Sequence, residues 1–269
     1  MNEVAINQLR RFCSLDDFPD LPCPYCGSET LRIDRRSIQF IKLKNQFAEK
    51  DFEDINFESH VLLRLIEFAC IAMSKLMEFQ AKFSTFLKCT SCKETVIMVG
   101  KAIVPSELAK QQGITIGIRI LPEFFTPPLP IIRLHSAYPK NIKREITRSF
   151  STFFFDPSSC GNAIRQCIER LLDNHRIEKS RISKNGKQIY IPLSDRVELF
   201  VDNFSDAKLL DGIRFLGNEA SHNSILNQED VFNAYKILHY ILEELYLHPK
   251  DRDEILKISQ LLQNKYKAR

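Results

Sequence analysis

Three residues near the end of the chain could do chemistry together. Arg214, Asn218 and His222 recur at four-residue steps in RFLGNEASH. On a helix, positions i, i+4 and i+8 drift by about 40° per step, so all three project from one strip. Leu209, Ile213, Leu216 and Ala220 fall on the other side. A guanidinium grips phosphate oxygens in a fork, and an imidazole moves protons near neutral pH. The set suits cleavage of a phosphodiester without metal. It equally suits a structural strip, in which Arg214 and His222 meet helix-end carbonyls and Gly217 allows a close helix crossing.

A second set of chemical residues lies far upstream. CPYCG brings Cys23 and Cys26, and CTSC brings Cys89 and Cys92. Each Cys-x-x-Cys pair places two thiolates on one ion, and two pairs complete a tetrahedral zinc site. Gly27 follows the first pair, where a backbone with positive φ is often required. Four thiolates leave no open coordination position, so the zinc is structural. Cys13, Cys70, Cys160 and Cys167 read as ordinary thiols, and a disulfide framework does not fit a cytoplasmic chain.

The elements that position these residues follow from periodicity. Some 62 residues lie between Cys26 and Cys89, well beyond a simple ribbon's spacing of about 15–20. Leu62, Ile66, Ala69, Met73, Leu76, Gln80, Phe83 and Leu87 alternate by four and three. This predicts a long helix over about 58–88, packing within the chain or pairing two subunits. Ile33–Leu43 reads as one strand, and 94–104 and 114–121 as two more. The proline-dense stretch 122–130 should break regular structure. A zinc-ribbon-like module over 1–121, a linker over 122–137 and a helical domain over 138–269 follow.

In the helical domain, Pro139 opens a helix. Ala163, Cys167, Ile168, Leu171 and Leu172 share one face of the next. Asn-Gly at 185–186 sits between strand-like arms, so a small hairpin or an ordered loop is expected over 181–191. Ser-Asp at 194–195 and 205–206 suits N-caps. The fold class is therefore α+β, mainly α: a small sheet with a long helical insertion, then a bundle of about six helices.

Tyr138-Pro139, GNAIRQCIERLLDN, IRFLGNEASH and a helix ending LEELY resemble the family called domain of unknown function 4145, grouped with the HEPN superfamily of small helical domains. The resemblance covers about residues 122–248. It implies a HEPN-like bundle and association with restriction and phage-defence systems. It also implies a homodimer in which two Arg…His motifs line one cleft and cleave RNA without metal. Arg214 and His222 would then be catalytic, with Asn218 orienting one of them. Seven residues separate Arg214 from His222, more than the family's usual four to six, and Phe215 takes the place of the usual polar residue. Many HEPN domains are instead non-catalytic binding or assembly modules, which is the alternative function.

Composition sets outer limits. Of 269 residues, 44% are hydrophobic and 27% charged, ordinary for a globular protein. No apolar run spans a membrane, and the N-terminus lacks a signal-peptide layout, so a cytoplasmic protein is expected. The net charge of +4 is uneven, with eleven Lys/Arg against five Asp/Glu over 140–187. Such a surface attracts nucleic acid or is simply solvated.

Overall fold

In a computed structural model of the chain, the described residues are 3–43, 78–113, 117–221, 226–247 and 252–266. They form two compact units, Glu3–Thr126 and Pro127–Arg269.

Among the described residues, the first unit is an antiparallel sheet with two short helices, α1 (Glu3–Leu9) and α2 (Glu107–Gln111). Its strands are β1 (Cys13–Ser14), β2 (Leu31–Ile33), β3 (Gln39–Lys42), β4 (Glu78–Cys89), β5 (Thr95–Pro105) and β6 (Arg119–Thr126). They lie in the order β1-β6-β5-β4-β2, with β3 also paired to β4. The predicted helix over 58–88 is corrected here. Residues 58–77 lie outside the described residues, and 78–88 belong to β4. Burial along β4 alternates by two: Ala81, Phe83, Thr85, Leu87 and Cys89 face inward, while Gln80, Lys82, Phe86 and Lys88 face out. That is the period of a strand, and pairing on both edges of β4 fixes it.

The single strand predicted over Ile33–Leu43 is two strands with a 3-10 turn, Arg35–Ser37, between them. Asp34 caps the turn by accepting from the Arg36 N–H at 3.2 Å. Ser37 then bridges to β4: its hydroxyl accepts from the Phe86 N–H at 2.9 Å and meets the buried Thr85 hydroxyl at 2.9 Å. Proline also fails to end the sheet where expected, since β6 runs through Pro122 to Thr126. The register slips at this point, with Val99 opposite Phe124 and Gly100 opposite Pro122. Glu123 is the extra residue of this bulge, and it pairs with Lys82 and Lys101, both at 3.0 Å. Proline is tolerated at such irregularities because no regular ladder bond is demanded of it.

The second unit is helical. Among the described residues it comprises α3 (Lys140–Phe150), α4 (Pro157–Asn174), α5 (Leu193–Val201), α6 (Leu210–Ser221), α7 (Gln228–Tyr246) and α8 (Arg252–Tyr266), with a hairpin β7 (Ser180–Ile182) and β8 (Gln188–Tyr190). Asp156 caps α4 through the Ser159 N–H at 3.0 Å, and Pro157 takes the first turn. The predicted apolar face of α4 is buried. The Ser-Asp caps do not form: α5 starts after Pro192 and the 3-10 turn Ser205–Leu209 starts after Phe204, neither with a side-chain cap bond. At the centre, α7 buries Tyr235 completely, its hydroxyl 2.5 Å from Ser149 on α3 and 3.2 Å from Cys160 on α4. No described helix is long and apolar enough to cross a membrane.

Gly100 is the tightest backbone approach of the sheet. A Cβ there would lie 2.1 Å from the Leu121 carbonyl oxygen and 2.9 Å from Pro122 Cα. Gly100→Ala is expected to destabilise the sheet unit by about 1–3 kcal/mol through overpacking. An unshifted urea midpoint for the variant would contradict that close contact.

Candidate functional site

The two cysteine pairs come together at one end of the sheet. The first occupies the loop between β1 and β2, and the second forms the turn between β4 and β5. All four Sγ atoms lie within 4.8 Å of one another. Cys23 is 3.6 Å from Cys92, and Cys26 is 3.7 Å from Cys89. These are too long for disulfides, whose sulfurs sit about 2.05 Å apart. They match the edge of a tetrahedron with metal–sulfur distances near 2.3 Å, about 3.8 Å.

The backbone of the two turns repeats the same bonds. Gly27 donates to the Cys23 carbonyl at 2.9 Å, and Lys93 donates to the Cys89 carbonyl at 3.1 Å. Cys23 donates to the Ser28 carbonyl at 2.8 Å, and Cys89 to the Glu94 carbonyl at 3.0 Å. Gly27 has φ +74° and Lys93 φ +66°. The left-handed conformation expected after the first pair thus follows the second pair as well, there in a lysine. The 62-residue gap is absorbed because Leu31 pairs with Cys89, which brings β2 and the first turn onto the end of β4.

The electrostatics of the metal-free thiols favour a cation. The hydroxyls of Ser28, 3.4 Å away, and Thr30, 3.5 Å away, hold the Cys89 thiol down at about 5. Ser28 also lowers Cys26, while burial raises Cys23. The Glu94 backbone favours the Cys92 thiolate, but desolvation and the three neighbouring sulfurs outweigh it and push that thiol up to about 12. Four thiolates this close repel one another, and a divalent ion relieves the repulsion. The residues fit structural zinc, and Ser28 and Thr30 supply the outer hydrogen bonds such a site needs. The remaining described cysteines are buried away from this cluster, and burial pushes Cys13 up to about 11 and Cys160 up to about 12.

On the helical unit, Arg214 and Asn218 lie on one strip of α6. His222 follows the last residue of α6 and lies outside the described residues, so its place is not part of this geometry. Arg214 Nε donates to Asp211 at 2.8 Å, and its guanidinium lies 4.2 Å from the Phe215 ring centroid. Phe215 is therefore half-buried and partly covered by Arg214. Among the described residues, Nη1 and Nη2 of Arg214 and the Asn218 amide have no hydrogen-bond partner. A guanidinium fixed by one nitrogen and one face keeps two further nitrogens as potential donors to an oxyanion.

Arg165 was not singled out by the sequence. Gly217 is buried against it: a Cβ at 217 would lie 2.7 Å from Arg165 Cβ and Cδ. The Arg165 stem therefore packs on α6 at Gly217, and its Nη1 lies 3.5 Å from Glu169. No spacing within α6 could reveal it, because the contact depends on α4 crossing at a glycine.

The other described histidines are structural. His175 packs on Phe200 with centroids 4.8 Å apart, and burial lowers its pKa. His239 lies 3.4 Å from Glu243, and burial lowers it too. His135 accepts from the Ala137 N–H at 3.2 Å. His248 lies outside the described residues.

Protein purified without added metal is expected to carry about one zinc per chain by elemental analysis. Cys26→Ser should lose both the metal and the cooperative unfolding of the sheet unit. Because ligand thiols must be ionised, acidification should release the ion as the ligand sulfurs take up protons. A fully folded, metal-free sheet unit at neutral pH would refute this site. No curated protein and no solved structure matches the chain. Residues 147–266, from the last turn of α3 to the end of α8, match a family model described as a domain of unknown function (DUF4145).

Proposed function

We propose that the protein binds RNA through its helical unit and cleaves it without a metal ion, as a HEPN-like endoribonuclease acting against phage or foreign DNA. The observation that carries this reading is the Arg214 guanidinium, clamped by Asp211 and Phe215 with its terminal nitrogens open beside Asn218. In the reaction the RNA 2′-hydroxyl attacks phosphorus and the 5′ oxygen leaves, giving a 2′,3′-cyclic phosphate. His222 takes or returns the proton, Arg214 neutralises the charge that develops on the non-bridging phosphoryl oxygens, and Asn218 orients the phosphate or His222. DNA lacks the attacking hydroxyl and is spared. Two copies would supply two such sets to one cleft, so the active form is a homodimer. The zinc at Cys23, Cys26, Cys89 and Cys92 is structural and takes no part in the chemistry.

A second reading is favoured by the same arginine. Its side chain is only 16% exposed and already holds an ion pair with Asp211, as a purely structural residue would. The helical unit is then a non-catalytic binding or assembly module of a restriction or defence complex.

Cleavage of single-stranded RNA or tRNA is expected to proceed in EDTA. His222→Ala should abolish it with the fold intact, and Arg214→Ala should slow it about a hundredfold or more. Arg214→Lys should restore little, since an ammonium lacks the planar fork. The assay includes any protein encoded alongside. Light scattering should report a dimer at micromolar concentration. If His222→Ala leaves the biological activity of the complete system intact, the binding module is the correct reading.

A further inference from the structure

The β7–β8 hairpin is built by its turn. Gly186 has φ +72° and donates to the Ser183 carbonyl at 2.9 Å, while Ser183 donates to the Lys187 carbonyl at 2.8 Å. Neither face of the hairpin is packed. Ile182 is 79% exposed, Tyr190 76% and Ile189 46%. Arg181, Lys184 and Lys187 have no ionic partner among the described residues. A two-stranded hairpin of this size is marginal in water, yet this one is anchored at its root. Asp173 at the end of α4 holds Lys179 and Arg196, each at 2.8 Å, and Arg196 also donates to the Ile177 carbonyl at 3.1 Å.

The anchor continues into a chain of charges with cations in excess. Asp173 also meets Arg170 at 3.5 Å, and Arg170 reaches Glu145 on α3 at 3.9 Å. Glu145 in turn faces Arg144 at 3.4 Å and Arg148 at 3.9 Å. This one carboxylate, 6% exposed, sits behind three guanidiniums that are 73%, 69% and 43% exposed. The acid holds the arginines in place while their outer faces stay in water.

We propose that this track, from Arg144 and Arg148 through Arg170 to the hairpin, binds single-stranded RNA, with Tyr190 stacking on a base. Repeated cations along an extended path suit a chain of phosphates, and arginine forks suit phosphate oxygens. An exposed aromatic among those cations supplies the flat surface that unpaired bases stack on. The choice of RNA over other polyanions rests on the function proposed above. The track itself rests on the charges and the unpacked hairpin.

The test uses the full-length, zinc-loaded His222→Ala chain, so that binding is read without cleavage. Anisotropy of a labelled uridine 20-mer is followed across a salt series. Replacing Arg181, Lys184 and Lys187 together by Gln should weaken binding about tenfold or more near 0.1 M salt. It should also flatten the log–log salt slope by about two. Tyr190→Ala should cost about five- to a hundredfold, and Tyr190→Phe should keep the affinity. Unchanged affinity and slope in the Gln variant would overturn the track. Equal binding of single-stranded DNA through these residues would overturn the choice of RNA. Polyglutamate bound as tightly as RNA would overturn the nucleic-acid assignment. Cleavage by the wild-type chain is scored separately: hairpin-dependent binding without cleavage leaves the track standing and removes the ribonuclease, and cleavage with hairpin-independent binding does the reverse.

Discussion

Four sulfurs within 4.8 Å of one another govern the sheet unit. The turn that carries Cys89 and Cys92 is also the turn that joins β4 to β5, and the loop that carries Cys23 and Cys26 leads into β2 on the edge of β4. The same few atoms therefore set the β4–β5 hairpin and the position of the first turn against it. Without a cation, these groups hold pKa values far apart, Cys89 low and Cys92 high, because the cluster resists a full complement of negative charge. A divalent cation held by the four sulfurs would resolve a conflict that the fold creates.

The helical unit meets a different constraint, that of space. Gly161 on α4 lies against Leu226 and Leu216, Gly212 on α6 against Ser259 of α8, and Gly217 against Arg165. Side chains at these three positions would hold the helices apart. Because they are absent, α6 lies close to both α4 and α8, and the Arg165 stem packs directly on Gly217. Gly217 permits the α4 contact, although glycine within a helix costs about 1 kcal/mol relative to alanine.

The cysteine ligands were legible in the sequence because each pair encodes its own turn, whatever lies between the pairs. The β7–β8 hairpin was legible from Asn-Gly for the same reason. What misled was a pattern shared by two structures. Phe83 and Leu87 fit both a four-three alternation and a period of two. Ala81 and Thr85, small or polar, carry no apolar signal of their inward positions, so the pattern over 78–88 also fits a helix. Pairing with β5 and β3 decided the matter, and pairing is not a local property. The Ser-Asp caps misled in another way, since the helix starts are set by Pro192 and by a 3-10 turn that the cap residues enter rather than precede. Arg165 was hidden because its importance arises only where two helices cross.

The span of the sheet also has a meaning for the order in which the chain is made. β1 at Cys13 pairs with β6 at Ile120, and the first cysteine turn is completed by a second one more than sixty residues later. Little of this unit can close until nearly all of it has been synthesised, as is usual where contacts are distant in sequence. Cys23 and Cys26 emerge long before the partners that enclose them. During that interval they are a solvent-facing dithiol, open to oxidants and to adventitious metals. The nascent chain thus presents both sulfurs to solvent, whereas the folded unit buries Cys23 and leaves Cys26 exposed.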